Sequence, residues 1–237
     1  MQIVINGETV SFEHFEKKFP KESKILAPLT SVELVIEMDQ GVMKVSHGEV
    51  GPISIAVKQT LDKHKKTFYK RSPYQENLAR ALGVKTDTDK DLRVLDATAG
   101  LMSDTLMMVA LGLRNISICE RNPVLQALIV NSMANFEELS ALHFREQNSA
   151  CLDESFDVIY YDPMYQAVNK KSASKKEMVF MRQLIGADED ASSVATILKQ
   201  KCHRLVIKRS QKAPPLIAGA SFTVEGKSTH YDIYFNN

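Results

Sequence analysis

The sequence predicts an α/β fold, a mostly parallel sheet with helices on both faces, preceded by a small strand-bearing N-terminal lobe. Three observations predict it. From Leu92 onward, strand-like apolar runs alternate with helix-like segments, the pattern that places parallel strands in one sheet through right-handed crossovers. Small residues, Ala97, Ala99 and Gly100, cluster at the first strand-to-helix turn, where α/β sheets let a backbone approach a ligand closely. The chain has 237 residues, 44% hydrophobic and 25% charged, which suits one main core with a modest extra lobe.

Taken in order, the N-terminal region has two short apolar stretches, Gln2 to Ile5 and Val32 to Met38, separated by a polar, Pro-containing segment from Glu13 to Pro28. We assign residues 1–70 to the small lobe and 71–237 to the main domain. Ser72-Pro73-Tyr74-Gln75 is expected to open a helix, with Ser as N-cap, Pro at the first helical position and Gln closing a capping box. Leu78, Ala81 and Leu82 follow helical spacing, and Gly83 is a natural stop. Leu92 to Asp96 is a buried strand, Ala97 to Ser103 a turn, and Asp104 to Leu111 a helix ended by Gly112. A strand from Asn115 to Glu120 leads into a helix from Pro123 to Ala134, Leu142 to Phe144 reads as a further strand, and Phe156 to Tyr161 is another, terminating at Asp162-Pro163. Arg204 to Lys208 and Tyr231 to Phe235 form a hairpin-like pair expected to close the sheet.

Composition excludes several classes. No run approaches the roughly 20 apolar residues of a membrane span, and the start, Met1 to Gly7, lacks a basic and then apolar leader pattern, so a cytoplasmic location is expected. Cys119, Cys151 and Cys202 are far apart and in no metal-ligand spacing, which suggests neither a disulfide framework nor a metal site. The net charge of +1 does not by itself favour a polyanionic partner. Its distribution does more: Lys63-His64-Lys65-Lys66 through Lys70-Arg71, and Lys170-Lys171 through Lys175-Lys176 with Arg182, are locally basic.

Three constellations carry chemistry. Asp96-Ala97-Thr98-Ala99-Gly100-Leu101-Met102-Ser103-Asp104 joins a strand to a helix whose free amides suit a phosphate or the carboxylate of a methionine moiety. Met102 stands where a glycine-rich loop would often have Gly, placing a larger side chain at that end of the pocket. Glu120 ends the next strand, close to the roughly 20-residue offset at which a carboxylate receives ribose hydroxyls; pairing with Arg121 on the surface is the alternative. Asp162-Pro163-Met164-Tyr165 follows an apolar strand. An exocyclic base amine is a poor nucleophile because its lone pair is delocalised into the ring. A carboxylate and a main-chain carbonyl that accept its protons turn the lone pair toward a methyl donor, and an adjacent aromatic can stack on the base. Asn148 and Ser149 either bind an adenine edge or form a plain Asx turn. The absence of Gly-x-Gly-x-x-Gly argues against a nicotinamide dehydrogenase.

From about Gly41 to the C-terminus the chain resembles the RsmJ family, bacterial methyltransferases that modify guanine N2 in 16S ribosomal RNA. The resemblance rests on Asp96 to Leu101 with Asp104, Glu120-Arg121-Asn122-Pro123, Asp162-Pro163-Met164, Lys175-Lys176-Glu177-Met178, Val206-Ile207-Lys208-Arg209 with Ala213-Pro214-Pro215-Leu216, and Tyr231-Asp232-Ile233-Tyr234. It implies a Rossmann-like class I methyltransferase using S-adenosylmethionine and no metal, with 16S ribosomal RNA or the small ribosomal subunit as partner. Cofactor contacts would fall on Asp96, Gly100, Ser103, Asp104, Glu120, Arg121, Asn148, Ser149 and Asp162. Asp162 and the Pro163 carbonyl would position the amine and Tyr165 would stack on the base. Lys170, Lys171, Lys175, Lys176, Lys208 and Arg209 would face RNA phosphates. Two other readings stay open: methyl transfer to adenine N6 or a protein amide, and a non-catalytic RNA-binding protein that has lost the cofactor.

Overall fold

A computed structural model describes residues 1–48, 50–164 and 188–236. The N-terminal lobe is a five-stranded sheet in the order β2-β1-β3-β4-β5, made of β1 (Gln2–Ile5), β2 (Glu8–Val10), β3 (Leu34–Asp39), β4 (Val42–His47) and β5 (Val50–Ile53). Only β1 and β3 run parallel; the other pairs are antiparallel. The polar stretch between the two apolar runs is helical, contrary to its reading as a mere separator. It forms α1 (Phe12–Lys18), capped by the Ser11 side chain, and α2 (Pro20–Leu26), with Pro20 at its start, where the missing N–H of proline costs nothing. Phe15 and Leu26 are fully buried beneath the sheet's apolar face.

Next come α3 (Val57–Lys70) and α4 (Asn77–Leu82). The expected helix start at Ser72 is corrected: Pro73–Gln75 form a separate 3-10 turn, the Ser72 side chain caps nothing, and α4 begins after Glu76. Glu76 is extended, with ψ 138°, so the two segments cannot merge. Gly83 ends α4 in the left-handed region at φ 86°, as its placement suggested.

The main sheet has seven strands in the order β11-β12-β10-β9-β6-β7-β8. These are β6 (Arg93–Asp96), β7 (Asn115–Cys119), β8 (Leu142–Arg145), β9 (Phe156–Tyr161), β10 (Cys202–Ser210), β11 (Phe222–Glu225) and β12 (Thr229–Phe235). Strands β8, β7, β6, β9 and β10 are parallel, and β12 is inserted antiparallel to both neighbours. The hairpin-like pair therefore exists, with Lys208 opposite Tyr231, but β11 forms the sheet edge instead of closing on that pair alone. Helices α5 (Ser103–Ala110), α6 (Pro123–Asn135) and α7 (Ala191–Lys199) connect the strands.

Alternation along each strand sorts the core into two layers. Val94, Val158, Tyr160, Val206 and Ile233 face the cluster that holds α4, α5, α6 and the N-terminal lobe. Leu95, Ile159, Tyr161, Leu205, Ile207 and Tyr234 face Val194, Ala195 and Leu198 of α7 on the other side. Among the described residues no helix is long and apolar enough to cross a membrane, and all three cysteines are free.

Candidate active site

The strand order reverses direction at β6, where β7 and β8 follow on one side and β9 and β10 on the other. Loops leaving the carboxyl ends of adjacent strands diverge at such a point and leave a crevice. A cleft lies there, lined by Ala97, Thr98 and Gly100 after β6, Cys119, Glu120 and Arg121 after β7, Asn148 and Ser149 after β8, and Tyr161, Asp162 and Met164 after β9. Asp188 and Val194 complete the wall.

The loop after β6 is fixed by its backbone. The Ala97 N–H donates to Tyr160 O (2.8 Å) and the Ala99 N–H to Cys119 O (2.9 Å). Gly100 has φ 54° and Met102 φ 60°, both in the region that favours glycine. The expectation that Met102 narrows the pocket is not met: its side chain is fully buried in the apolar core, beside Leu106 and Met108, and the cleft keeps its opening.

Glu120 is 6% exposed. Its Oε2 accepts from the Gly100 N–H (2.9 Å) and its Oε1 from the Asn122 N–H (2.7 Å). Burial raises its pKa against the opposing pull of these amides. The side chain thus bridges the first two strand-end loops; Arg121 acts on it through its main chain and charge, while its guanidinium makes its salt bridges to Asp188 and Asp190. Asp188 also accepts from the Met164 N–H (2.5 Å) and returns its own N–H to Met164 O (2.9 Å), so Arg121 braces the loop after β9. Asn148 accepts from the Ala150 N–H (3.0 Å), an Asx turn that still presents Asn148 and Ser149 to the cleft.

Asp96, Ser103 and Asp104 are not in the cleft wall. Asp96 is buried beneath it, accepting from Thr105 Oγ1 (2.6 Å) and the Thr98 N–H (3.2 Å), and desolvation pushes its carboxyl up to about 7. Ser103 is exposed at the start of α5. Asp104 accepts from Tyr160 Oη (2.6 Å) and from Lys208 Nζ (2.6 Å). Lys208 also lies 2.8 Å from Asp162 Oδ2, which corrects its reading as a phosphate contact: flanked by two carboxylates, it is held inward as an ammonium. Burial raises the Asp162 carboxyl, with Lys208 pulling it back down. Its main-chain N–H donates to Thr98 Oγ1 (2.8 Å). Arg209 is likewise corrected: it donates to the fully buried Asp232 at 2.6 and 3.2 Å, and a guanidinium so paired does not reach solvent phosphates. Pro163 is buried directly after Asp162. Tyr165, Lys170, Lys171, Lys175 and Lys176 lie outside the described residues.

Thr98, Asp188, Asp190 and Tyr160 are site residues that sequence reasoning missed. Thr98 stood within the quoted loop, but a threonine there gives no signal of its own.

The parts present fit a nucleoside cofactor: a buried acid at the second strand end, small residues at the first, a polar turn at the third. The seven-stranded order with one antiparallel insertion, and a cleft at the switch point, are the architecture of class I S-adenosylmethionine-dependent methyltransferases. A family model described as "Putative SAM-dependent methyltransferase" matches residues 24–236. Among curated relatives, Ribosomal RNA small subunit methyltransferase J of Hahella chejuensis is 39% identical over 170 residues, 67% of this chain and 64% of that one. Those of Dechloromonas aromatica and Coxiella burnetii strain RSA 331 are 36% and 34% identical, covering 66% and 78% of this chain and 69% and 75% of theirs. The chain spans just under two thirds of the Hahella protein's length. The crystal structure of a SAM-dependent methyltransferase from Neisseria gonorrhoeae shares the fold, with a TM-score of 0.64, 19% identity and coverage of 98% and 95% of the two chains. The chain belongs to the small-subunit ribosomal RNA methyltransferase J family, as the sequence motifs implied.

Proposed function

We propose that this protein transfers a methyl group from S-adenosylmethionine to the N2 amine of a guanine in 16S ribosomal RNA, acting in the cytoplasm. The observation that carries this reading is Asp162, 36% exposed in its side chain, at the cleft mouth after β9 and held by Lys208, in a chain related to ribosomal RNA methyltransferases. S-adenosylmethionine supplies a methyl on a sulfonium, which needs little activation. Glu120, Asn148 and Ser149 would hold its ribose and adenine, and the Gly100 loop its methionine end. The work left to the protein is to orient the amine. The Asp162 carboxylate and the Pro163 carbonyl would accept hydrogen bonds from the two amine N–H groups, directing the nitrogen lone pair at the methyl. As the N–C bond forms, the S–C bond of the sulfonium breaks and S-adenosylhomocysteine leaves; the methylated nitrogen, now acidic, gives up one proton to Asp162 or to solvent, so before transfer Asp162 needs only to orient the amine. Tyr165 follows in the chain, where a stacking ring would bear on the base.

The test is transfer of labelled methyl from S-adenosylmethionine to small-subunit ribosomal RNA, followed by nucleoside analysis. Label in N2-methylguanosine is expected. Asp162→Ala should lower turnover by about 100-fold or more while calorimetry still detects cofactor binding. Label in adenosine or in protein, or wild-type turnover in that variant, would overturn the assignment.

A further inference from the structure

With Lys208 and Arg209 turned inward, the described residues offer another basic face. Helix α3 has an apolar side, on which Val57 and Leu61 are buried and Phe68 packs against the core, and it lies against α5. The opposite side is exposed. Lys63, Lys66, Lys70 and Arg71 line one open surface groove together with Gln59, Thr67 and a single carboxylate, Asp62; Lys63, Lys66, Thr67 and Lys70 fall at the i, i+3, i+4, i+7 spacing that puts residues on one helical stripe, and four cations against one acid leave the groove net basic. Among the described residues none of Lys63, Lys65, Lys66 and Lys70 is paired with a carboxylate, and only Arg71 has a partner, Glu76. Tyr69, at 94% exposure, stands beside them, and an aromatic so exposed carries a cost with no packing in return.

The inner side of the helix faces the site. His64 is half-buried there and its pKa is lowered by burial and by Lys63, with Glu76 and Asp104 pulling the other way. Asp104 is the carboxylate that shares Lys208 with Asp162. The unpaired cations therefore run along a helix that borders the catalytic network.

We propose that the outer face of α3 is a docking surface for the RNA substrate, with Lys63, Lys66 and Lys70 on phosphates and Tyr69 stacking on an unpaired base. This rests on the function proposed above. Unpaired ammonium groups on a rigid helix recognise a polyanion without regard to sequence, and an exposed tyrosine among them selects nucleic acid over other polyanions, because every base has a face to stack on. This surface fixes the register of the RNA while the Asp162 end of the cleft receives the target base.

The experiment compares the full-length wild type, a Lys63→Gln/Lys66→Gln/Lys70→Gln variant, Tyr69→Ala, and a Lys17→Gln/Lys18→Gln control on α1. Each is assayed for binding to deproteinised small-subunit ribosomal RNA across a salt series, and for methyl transfer to it. The triple variant is expected to bind S-adenosylmethionine like the wild type and to raise the KM for RNA about tenfold or more with kcat little changed. The slope of log K against log salt should fall by about 2–3, as loss of three phosphate contacts requires. Tyr69→Ala should weaken RNA binding severalfold without changing that slope. Wild-type RNA affinity and salt slope in the triple variant would overturn the docking surface while leaving the methyltransferase reading in place. A wild-type protein that binds S-adenosylmethionine but neither binds nor methylates the RNA would overturn both.

Discussion

Lys208 Nζ lies 2.8 Å from Asp162 Oδ2 and 2.6 Å from Asp104 Oδ2, so one cation bridges the strand-end carboxylate of β9 and the first turn of α5. Two carboxylates this close to a common point would otherwise repel, and one would take up a proton. Lys208→Met is expected to raise the pKa of Asp162, since it removes the group that lowers it and leaves Asp104 facing it. The acidic limb of the activity profile should then move to higher pH, with kcat down about tenfold or more at neutral pH. Lys208→Arg, which keeps the charge, should restore much of the loss. A pH–rate profile of the three proteins checks this; an unmoved acidic limb would separate Lys208 from the chemistry.

Glu120 holds two loops as well as facing the cleft. Glu120→Gln replaces one acceptor oxygen by an amide donor opposite the Gly100 or Asn122 N–H, so a hydrogen bond is exchanged for a repulsion. The cofactor Kd is expected to rise about 10- to 100-fold, which corresponds to about 1.4–2.7 kcal/mol, as read by calorimetry. Thermal melting without cofactor separates the two roles: a large fall in Tm would assign Glu120 mainly to bracing the loops.

Asp96 makes stability depend on pH. Its folded pKa of about 7 lies above the ordinary carboxylate value because of burial, so folding favours the protonated form. The contribution is fully present below the unfolded pKa near 4 and is lost as pH rises through about 7. Asp96→Asn, which keeps an acceptor for the Thr98 N–H, is expected to flatten that dependence. The variant should be more stable than wild type at pH 8, by on the order of 3–4 kcal/mol, with the gap narrowing to about 1–2 kcal/mol at pH 5 and closing toward pH 4. Urea denaturation at the two pH values reads this directly, and equal pH dependence in both proteins would rule it out.

What could be read from the sequence follows from which signals are local. The run Phe156 to Tyr161 is apolar on both faces, so it marks a central strand, and the acid that follows it, Asp162, had to lie at the sheet's carboxyl edge. Glu120 was placed by the same logic, though only the structure shows its bonds to Gly100 and Asn122. Signals between distant segments were not legible. Lys208 and Arg209 read as exposed cations because nothing near them in the chain reveals Asp104 and Asp232, which neutralise them. Asp188 and Asp190 meet Arg121 from a distant segment of the chain. At Met102 the sequence shows a side chain but not its direction, and the left-handed backbone at that residue turns it into the core. At Ser72 the capping pattern was present, yet the extended Glu76 stops the turn from joining α4.

One amide is central to the join between lobe and main sheet. Asn131 of α6, 3% exposed, accepts from the Met43 N–H of β4 (2.8 Å) and donates to Glu22 Oε1 of α2 and to Gly41 O (both 3.0 Å). Two segments of the lobe, α2 and the turn into β4, thus converge on a single side chain through three hydrogen bonds. Asn131→Ala leaves the Met43 amide and the Glu22 carboxylate without their partner in a buried setting, at a cost of about 2–4 kcal/mol. Asn131→Asp keeps the acceptor but removes the donor to Glu22 and sets a second carboxylate against it, so it too is expected to be less stable than wild type. Chemical denaturation is expected to show a loss of stability for Asn131→Ala. A protease-sensitive site in residues 1–53, with cofactor binding retained, would show that the lobe had loosened while the main sheet stayed intact. If Asn131→Ala melts like the wild type, the lobe is held by the apolar contacts of α2 and β4 with α6 and by the Asn135 bond to Gly41 O.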